Sequence, residues 1–327
     1  MTVLTMAKSI NEGLRRAMKE DDKVVILGED VGRLGGVFRI TDGLLDDYGA
    51  FRVIDTPLAE SAIMGVAVGL AMRGYRPIVE IQFDGFLFPA FDQLVSQVAK
   101  HHARSDGNTL MPITIRIPYG GGIGAVEHHS ESPEAYFVHT PGLRVVSPSN
   151  PADAYAMTQQ AIASNDPVIV LEPKRRYWEK GEVDLESAPS DAGPLHQARI
   201  VRPGTDCTVI GYGPTVRTCL EAAAAAALEG HSLEVIDLRS IAPIDDETLL
   251  ESVRRTGHAV IVHEAPVIGG VGAEISARLT ESAFYSLEAP VQRVGGWHTP
   301  YPPSRIEDDY LPDVDRILAA VDNALSA

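Results

Sequence analysis

Glu60 is the first residue whose position asks for a chemical reason. It lies in RVIDTPLAESAIMGVAVGLAMRG, residues 52–74, where an extended apolar segment turns at Asp55-Thr56-Pro57 and then runs at helical period. No other charge follows before Arg73. An acid in a first helical turn is favoured by the helix dipole and by the free backbone N–H groups there. In an apolar wall the same carboxyl has a second use. Burial favours its neutral form, so it can share a proton with a ligand. Position alone leaves both readings open.

The second candidate is the loop PYGGGIGAVEHHSESPEAYF, residues 118–137. Gly120, Gly121, Gly122 and Gly124 follow the strand-like run ITIRIP, and such a cluster lets backbone turn sharply or come close to a ligand. His128, His129 and Ser130 follow, and the paired histidines could serve as acid–base groups, metal ligands or hydrogen-bond donors. A zinc site is not expected: no cysteine is near, and neither histidine has a histidine partner four residues on. In residues 80–94, Phe83, Phe86, Phe88 and Phe91 gather half of the eight phenylalanines of the chain. They suit a core or subunit interface, or an aromatic wall for a flat heterocycle. The later glycine-rich turns, VIGYGPT and HEAPVIGGVGAEI, lack the spacing of a nicotinamide fingerprint or a phosphate loop and read as tight strand-to-helix turns.

The elements that must position these groups alternate along the chain. KVVILGE, FRVIDT, YRPIVEI, PITIRIP, LRVVSPS and PVIVLEP are short, apolar and rich in Val and Ile. Helical stretches separate several of them: 61–72, 89–102 and 152–164. This pattern predicts a mostly parallel sheet with helices on both faces, its strands apolar throughout because both faces are buried. Residues 174–204 are charged, hold Pro and Gly, and lose the apolar period. A first domain over 1–175, a linker over 176–203 and a smaller α/β domain over 204–327 follow from that break. The second domain alternates again, with helices expected over 216–229, 245–256 and 271–280 and an amphipathic helix from Asp313. The N-terminal stretch, residues 1–23, reads as an amphipathic helix.

Bulk composition narrows the function classes. With 45% hydrophobic and 22% charged residues the 327-residue chain has an ordinary globular balance, and its length points to two domains. The net charge of −17 argues against nucleic-acid binding, which needs cations to neutralise phosphates. No apolar run approaches a membrane span, so no membrane association is expected. The N-terminal stretch lacks the basic start, apolar block and small-residue cleavage site of a signal peptide. Cys207 and Cys219 are too few for a disulfide framework, and a reducing cytoplasm fits.

Longer stretches carry a resemblance. LGEDVGRLGGVFRITDGL, DTPLAESAIMGVAVGLAMRGYRPIVEIQF, FPAFDQLVSQVAK, HHSESPEAYFVHTPGLRVVSPSNPADA and DPVIVLEP, in that order, resemble the β subunit of the decarboxylating component of 2-oxoacid dehydrogenase complexes. The likeness spans nearly the whole chain. It implies a transketolase-like pyrimidine-binding domain followed by a transketolase-like C-terminal domain. It also implies thiamine diphosphate-dependent oxidation of 2-oxo acids with lipoamide as acceptor. Under it, Glu60 matches the glutamate that hydrogen-bonds the aminopyrimidine of the cofactor and promotes proton removal from the thiazolium carbon. Phe86 matches the aromatic residue against that ring, and His129 matches a histidine that handles substrate and passes the acyl group to lipoamide. His128 has no counterpart. Ile113, Ala161, Ser164 and Asp166 fall where the family binds potassium, largely through carbonyls, with Ser164 standing where some members have an acid.

One absence completes the resemblance. Thiamine diphosphate enzymes hold the diphosphate and Mg²⁺ with a Gly-Asp-Gly motif, and no such triplet occurs here; Ser105-Asp106-Gly107 lacks the first glycine. The resemblance therefore implies that a separate α subunit holds the diphosphate and Mg²⁺ in an α2β2 heterotetramer, that this chain is inactive alone, and that a lipoyl-bearing acyltransferase core is the further partner. The segments SPEAYFVHTPGL and LEPKRRYW are most similar to branched-chain members, with pyruvate and acetoin enzymes as alternatives.

Overall fold

The computed structural model describes residues 1–326. The chain divides into two compact units. The first is Met1–Tyr119 with Tyr136–Leu195; the second is Gly120–Ala135 with the residues from His196 on.

In the first unit the elements run β1 (Thr2–Thr5), α1 (Met6–Glu20), β2 (Val24–Gly28), α2 (Leu44–Tyr48), β3 (Val53–Asp55), α3 (Glu60–Met72), β4 (Arg76–Glu80), α4 (Leu87–Asp92), α5 (His101–Arg104), β5 (Thr114–Tyr119), α6 (Glu134–Val138, of which Glu134 and Ala135 count with the second unit), β6 (Arg144–Val146), α7 (Pro151–Ala163), β7 (Val168–Pro173) and β8 (Lys180–Val183). Strands pair parallel in the order β6-β7-β5-β4-β2-β3. Every residue of β2, β5 and β7 is buried, which is why these runs are apolar without alternation. Helices α1 and α7 pack together over one face and share a core with β2 through Met6, Ile10, Leu14, Ile26, Ala154 and Ile162. Asn150 caps α7, its side chain accepting from Asp153 N, and Pro151 occupies the first turn, where its missing N–H costs nothing.

The fold departs from the sequence expectation in three places. The N-terminal helix begins only at Met6, because residues 2–5 form β1, antiparallel to β8 with Thr2 opposite Val183. Part of the expected linker is thus a strand in the first unit, and the units divide between Leu195 and His196. The helix expected over 89–102 runs instead as α4, a π-helical stretch over Gln93–Val98, and α5.

The second unit contains β9 (Arg199–Arg202), β10 (Cys207–Gly211), α8 (Thr215–Leu228), β11 (Leu233–Asp237), β12 (Ser240–Ala242), α9 (Asp246–Thr256), β13 (Ala259–Pro266), α10 (Val271–Ala283), β14 (Gln292–Gly296), α11 (Glu307–Tyr310) and α12 (Val314–Leu325). Its sheet order is β14-β13-β10-β11-β9, parallel except for β9. The alanine-rich α8 and the amphipathic α12 bury Ala222, Ala226, Ile317 and Val321 with Val209 and Val235. Asp245 and Asp313 cap α9 and α12. Among the described residues no helix is long and apolar enough to cross a membrane.

Candidate active site

The carboxyl ends of adjacent parallel strands are where open α/β sheets place their ligands. Here β3, β2 and β4 are neighbours, and the segments that leave their ends carry Glu60, Glu29 and Phe86 in turn. Glu60 is the first residue of α3 and only 7% exposed. The neighbouring acid is Glu29, 8% exposed, directly after β2. Burial pushes the Glu29 carboxyl above its ordinary value, and the negative charges of Glu60 and Asp30 push it further the same way. Glu29 Oε1 and Thr56 Oγ1 are buried polar atoms without a partner in the chain. Thr56 is held by its own N–H, which donates to Gly28 O at 3.0 Å. Asp55, at the end of β3, accepts Gly32 N at 2.5 Å and Arg33 N at 3.1 Å, so it fixes the turn that follows Glu29. Buried acceptors and a hydroxyl left open are a donor set for a polar ligand.

Phe86 closes a short 3-10 turn just ahead of α4, and α4 packs on α3. Its ring meets Phe83 edge-on at 5.7 Å, and Phe83 continues through Phe38 to Tyr177 at 5.4 and 5.0 Å. Phe88 and Phe91 belong to a separate group with Tyr136, at 6.1 and 5.8 Å. The four phenylalanines therefore split, and only the Phe83–Phe86 pair lies in the segment leaving β4.

Glu29 was not singled out by sequence reasoning, because an acid after a strand is ordinary. The signal that could have found it is two acids, Glu29 and Glu60, each following the end of an apolar strand-like run. The structure also shows a buried network beneath. Arg116 Nε and Nη2 donate to Glu172 at 2.7 and 2.9 Å, and Nη1 donates to Glu80 at 2.5 Å. Tyr177 Oη donates to the same Glu172 at 2.7 Å.

His129 belongs to the second unit, in a short 3-10 turn over Glu127–His129. It is half-buried, and His128 is exposed against it with ring centroids 4.4 Å apart. The residues matched to potassium cluster around one turn, but their carbonyls are occupied. Ile113 O accepts Val168 N at 3.0 Å, and Ala161 O accepts Ser164 N at 3.2 Å. Asp166 O accepts Ser164 Oγ at 2.9 Å. The Arg76 guanidinium donates to Ile162 O at 3.1 Å and Ser164 O at 3.0 Å. Each of these carbonyls thus already accepts a hydrogen bond, and the Arg76 guanidinium places a positive charge at the turn.

Comparison with known proteins bears on the family. The transketolase pyrimidine-binding domain family matches residues 2–179, and the transketolase C-terminal domain family matches residues 196–317. A "Pyruvate dehydrogenase E1 component subunit beta" of Leifsonia xyli subsp. xyli is 60% identical, with 99% of this chain and 95% of that protein covered. The chain belongs to the β subunits of 2-oxoacid dehydrogenases. A "3-methyl-2-oxobutanoate dehydrogenase subunit beta" of Mycobacterium tuberculosis is 54% identical over 98% of this β subunit and 92% of that protein. A solved structure titled "Split gene transketolase, inactive beta4 tetramer" shares the fold, with a TM-score of 0.80 at 24% identity over 99% of this chain and 98% of that one. The expected fold class, a transketolase-like pyrimidine-binding domain followed by a transketolase-like C-terminal domain, is the one found.

Proposed function

We propose that this β subunit supplies the aminopyrimidine half of a thiamine diphosphate site. With an α subunit it would carry out oxidative decarboxylation of branched-chain 2-oxo acids and reductive acylation of a lipoyl group. The observation that carries the reading is the buried Glu60 beside Glu29, with Glu29 Oε1 and Thr56 Oγ1 left without partners at the ends of β2 and β3. These groups fit an amino-substituted ring that both donates and accepts. Thiamine diphosphate, when bound, supplies the thiazolium carbon that adds to the 2-oxo carbonyl and takes up the electron pair released with carbon dioxide.

The roles of this chain follow from its own groups. The Glu60 carboxyl shares a proton with a ring nitrogen, and its burial keeps water from competing for that proton. Burial, and then the charge of Glu60, raise the Glu29 carboxyl, so Glu29 is a group beside the ring whose neutral form is favoured. Phe86 offers a flat face to the ring, and His129 presents an imidazole to the substrate and to the lipoyl group.

An α partner is supported by two features. The chain lacks the Gly-Asp-Gly triplet, so the diphosphate and Mg²⁺ need donors from elsewhere. Helix α3 carries no charge after Glu60 and leaves Val66 and Met72 55% and 54% exposed, an apolar outer face of the kind that subunit interfaces cover. A pyruvate-specific enzyme is the second reading, favoured by the name of the 60% identical relative. The two substrates differ by two methyl groups, a few kcal/mol at most in an apolar pocket.

Reconstitution tests all of this. The chain is assayed alone and with its α subunit, with thiamine diphosphate and Mg²⁺, on 3-methyl-2-oxobutanoate and pyruvate. Activity is expected from the pair only, and faster on the branched substrate. Turnover by this chain alone would overturn the half-site reading; faster turnover of pyruvate would overturn the substrate.

A further inference from the structure

The glycine loop ahead of the histidine pair is held by carboxylates far away in sequence. Gly122 N and Gly124 N donate to the two oxygens of Glu307, at 2.8 Å to Oε1 and 3.0 Å to Oε2. Tyr301 Oη donates to the same Oε1 at 2.6 Å. One residue earlier, Gly121 N donates to Glu264 Oε2 at 3.1 Å. Gly120, Gly122 and Gly124 all have positive φ, and a Cβ at Gly121 would collide with the Tyr301 hydroxyl. At the far end of the segment Tyr212 Oη donates to the buried Glu134 at 2.6 Å. All these groups belong to the second unit.

Apolar packing does not hold this loop. Ile123 and Val126 are 40% and 55% exposed. What fixes its path is a buried carboxylate, 6% exposed, accepting two backbone N–H groups and a hydroxyl. Such charge-assisted bonds are directional and tie backbone position to the donor geometry. From Gly124 only five residues lead to His129, and the chain between closes through His129 N to Val126 O at 3.0 Å. We propose that Glu307, backed by Tyr301, is a positioning residue for His129: a carboxylate clamp that sets where the imidazole stands. This rests on the role given to His129 above.

The assembled α/β enzyme is the material for the test. Glu307→Ala, Glu307→Gln, Tyr301→Phe, His129→Ala and the double variant Glu307→Ala/His129→Ala are compared. Reductive acylation of a lipoyl domain is followed in single turnover, and amide exchange is followed over residues 120–129. Glu307→Ala is expected to slow acylation about tenfold or more and speed exchange in that segment, with assembly retained. Glu307→Gln, which keeps one acceptor oxygen, should recover part of the loss, and Tyr301→Phe should cost less. The double variant should be no slower than His129→Ala alone, because the clamp acts through that histidine. Unchanged exchange in Glu307→Ala, or losses that multiply in the double variant, would overturn the clamp. If His129→Ala acylates normally, the role of His129 fails instead, and the exchange data alone decide whether Glu307 holds the loop. Should Glu307→Ala not fold, Glu307→Gln and Tyr301→Phe carry the same comparison.

Discussion

Two of the groups of buried carboxylates in the first unit are built on opposite principles. Glu80 and Glu172 are buried with Arg116 between them, and the guanidinium donates three short hydrogen bonds to their carboxylates. Burial still pushes Glu80 up, but Arg116 opposes it. Among the described residues, Glu60 and Glu29 have no such cation; the charges acting on Glu29 are acids, and one of its oxygens has no partner there. A buried charge costs several kcal/mol unless paired, so the first arrangement is what a stable sheet requires. The second is kept in spite of stability, and such places are where a ligand completes the structure. Under the proposed function, the presence or absence of a counter-ion separates scaffold from site.

Mutations can break or sharpen this contrast. The largest effect is expected at Glu60. Glu60→Gln should lower decarboxylation by the assembled enzyme about 10²–10⁴-fold, the usual worth of a positioned acid–base group, and leave the unfolding temperature unchanged. Near-normal turnover would remove Glu60 from the chemistry.

Arg116→Met should do the reverse. It strands two carboxylates in the sheet, a loss of about 3–5 kcal/mol, read as a large drop in unfolding temperature or as insoluble protein. A variant as stable as the wild type would show that the network is not what stabilises these strands.

Glu134, in the second unit, lies between the two kinds. It is fully buried, bonded by Tyr212, and left with Oε2 unpartnered. Burial pushes it up to about 7, offset by the Tyr212 hydrogen bond, with Glu264 adding to the rise. A carboxyl whose folded value is raised contributes stability that is fully present below about 4.5 and is lost as pH rises through about 7. Glu134→Gln keeps an acceptor for Tyr212 and cannot ionise. Relative to wild type it should gain up to about 3 kcal/mol between pH 5 and 8.5, measured by denaturant unfolding at both pH values. An equal slope in both proteins would mean that Glu134 does not titrate there.

The smallest change is expected at Glu29. Glu29→Gln should cut turnover about tenfold, within the range of a hydrogen bond to a charged group, and displace one limb of the pH–rate profile. An unaltered profile would make Glu29 a bystander to Glu60.

Much of the fold was legible because its signals are local. The strand runs and the helices over residues 60–72, 151–163 and 314–325 follow from apolar period and from caps such as Asn150 and Asp313. The strands at residues 2–5 and 180–183 were not, since each depends on the other for its hydrogen bonds. Glu60 stood out because nothing else charged surrounds it in the chain. Glu29 did not, because its effect arises only when two strand ends stand side by side.

The sequence by itself determined the family, the parallel sheet of the first unit and the acid of α3, since periodicity, caps and residue order are written along the chain. It also determined that four glycines bend one loop before the histidine pair. Only the tertiary structure decided what those glycines are for. Gly120 and Gly121 leave the room that Glu264 and the Tyr301 hydroxyl occupy, and the N–H groups of Gly121, Gly122 and Gly124 reach carboxylates of Glu264 and Glu307, 143 to 185 residues away. A turn that bends for local reasons and one that makes room for a distant carboxylate use the same residue, and only the packed chain tells them apart.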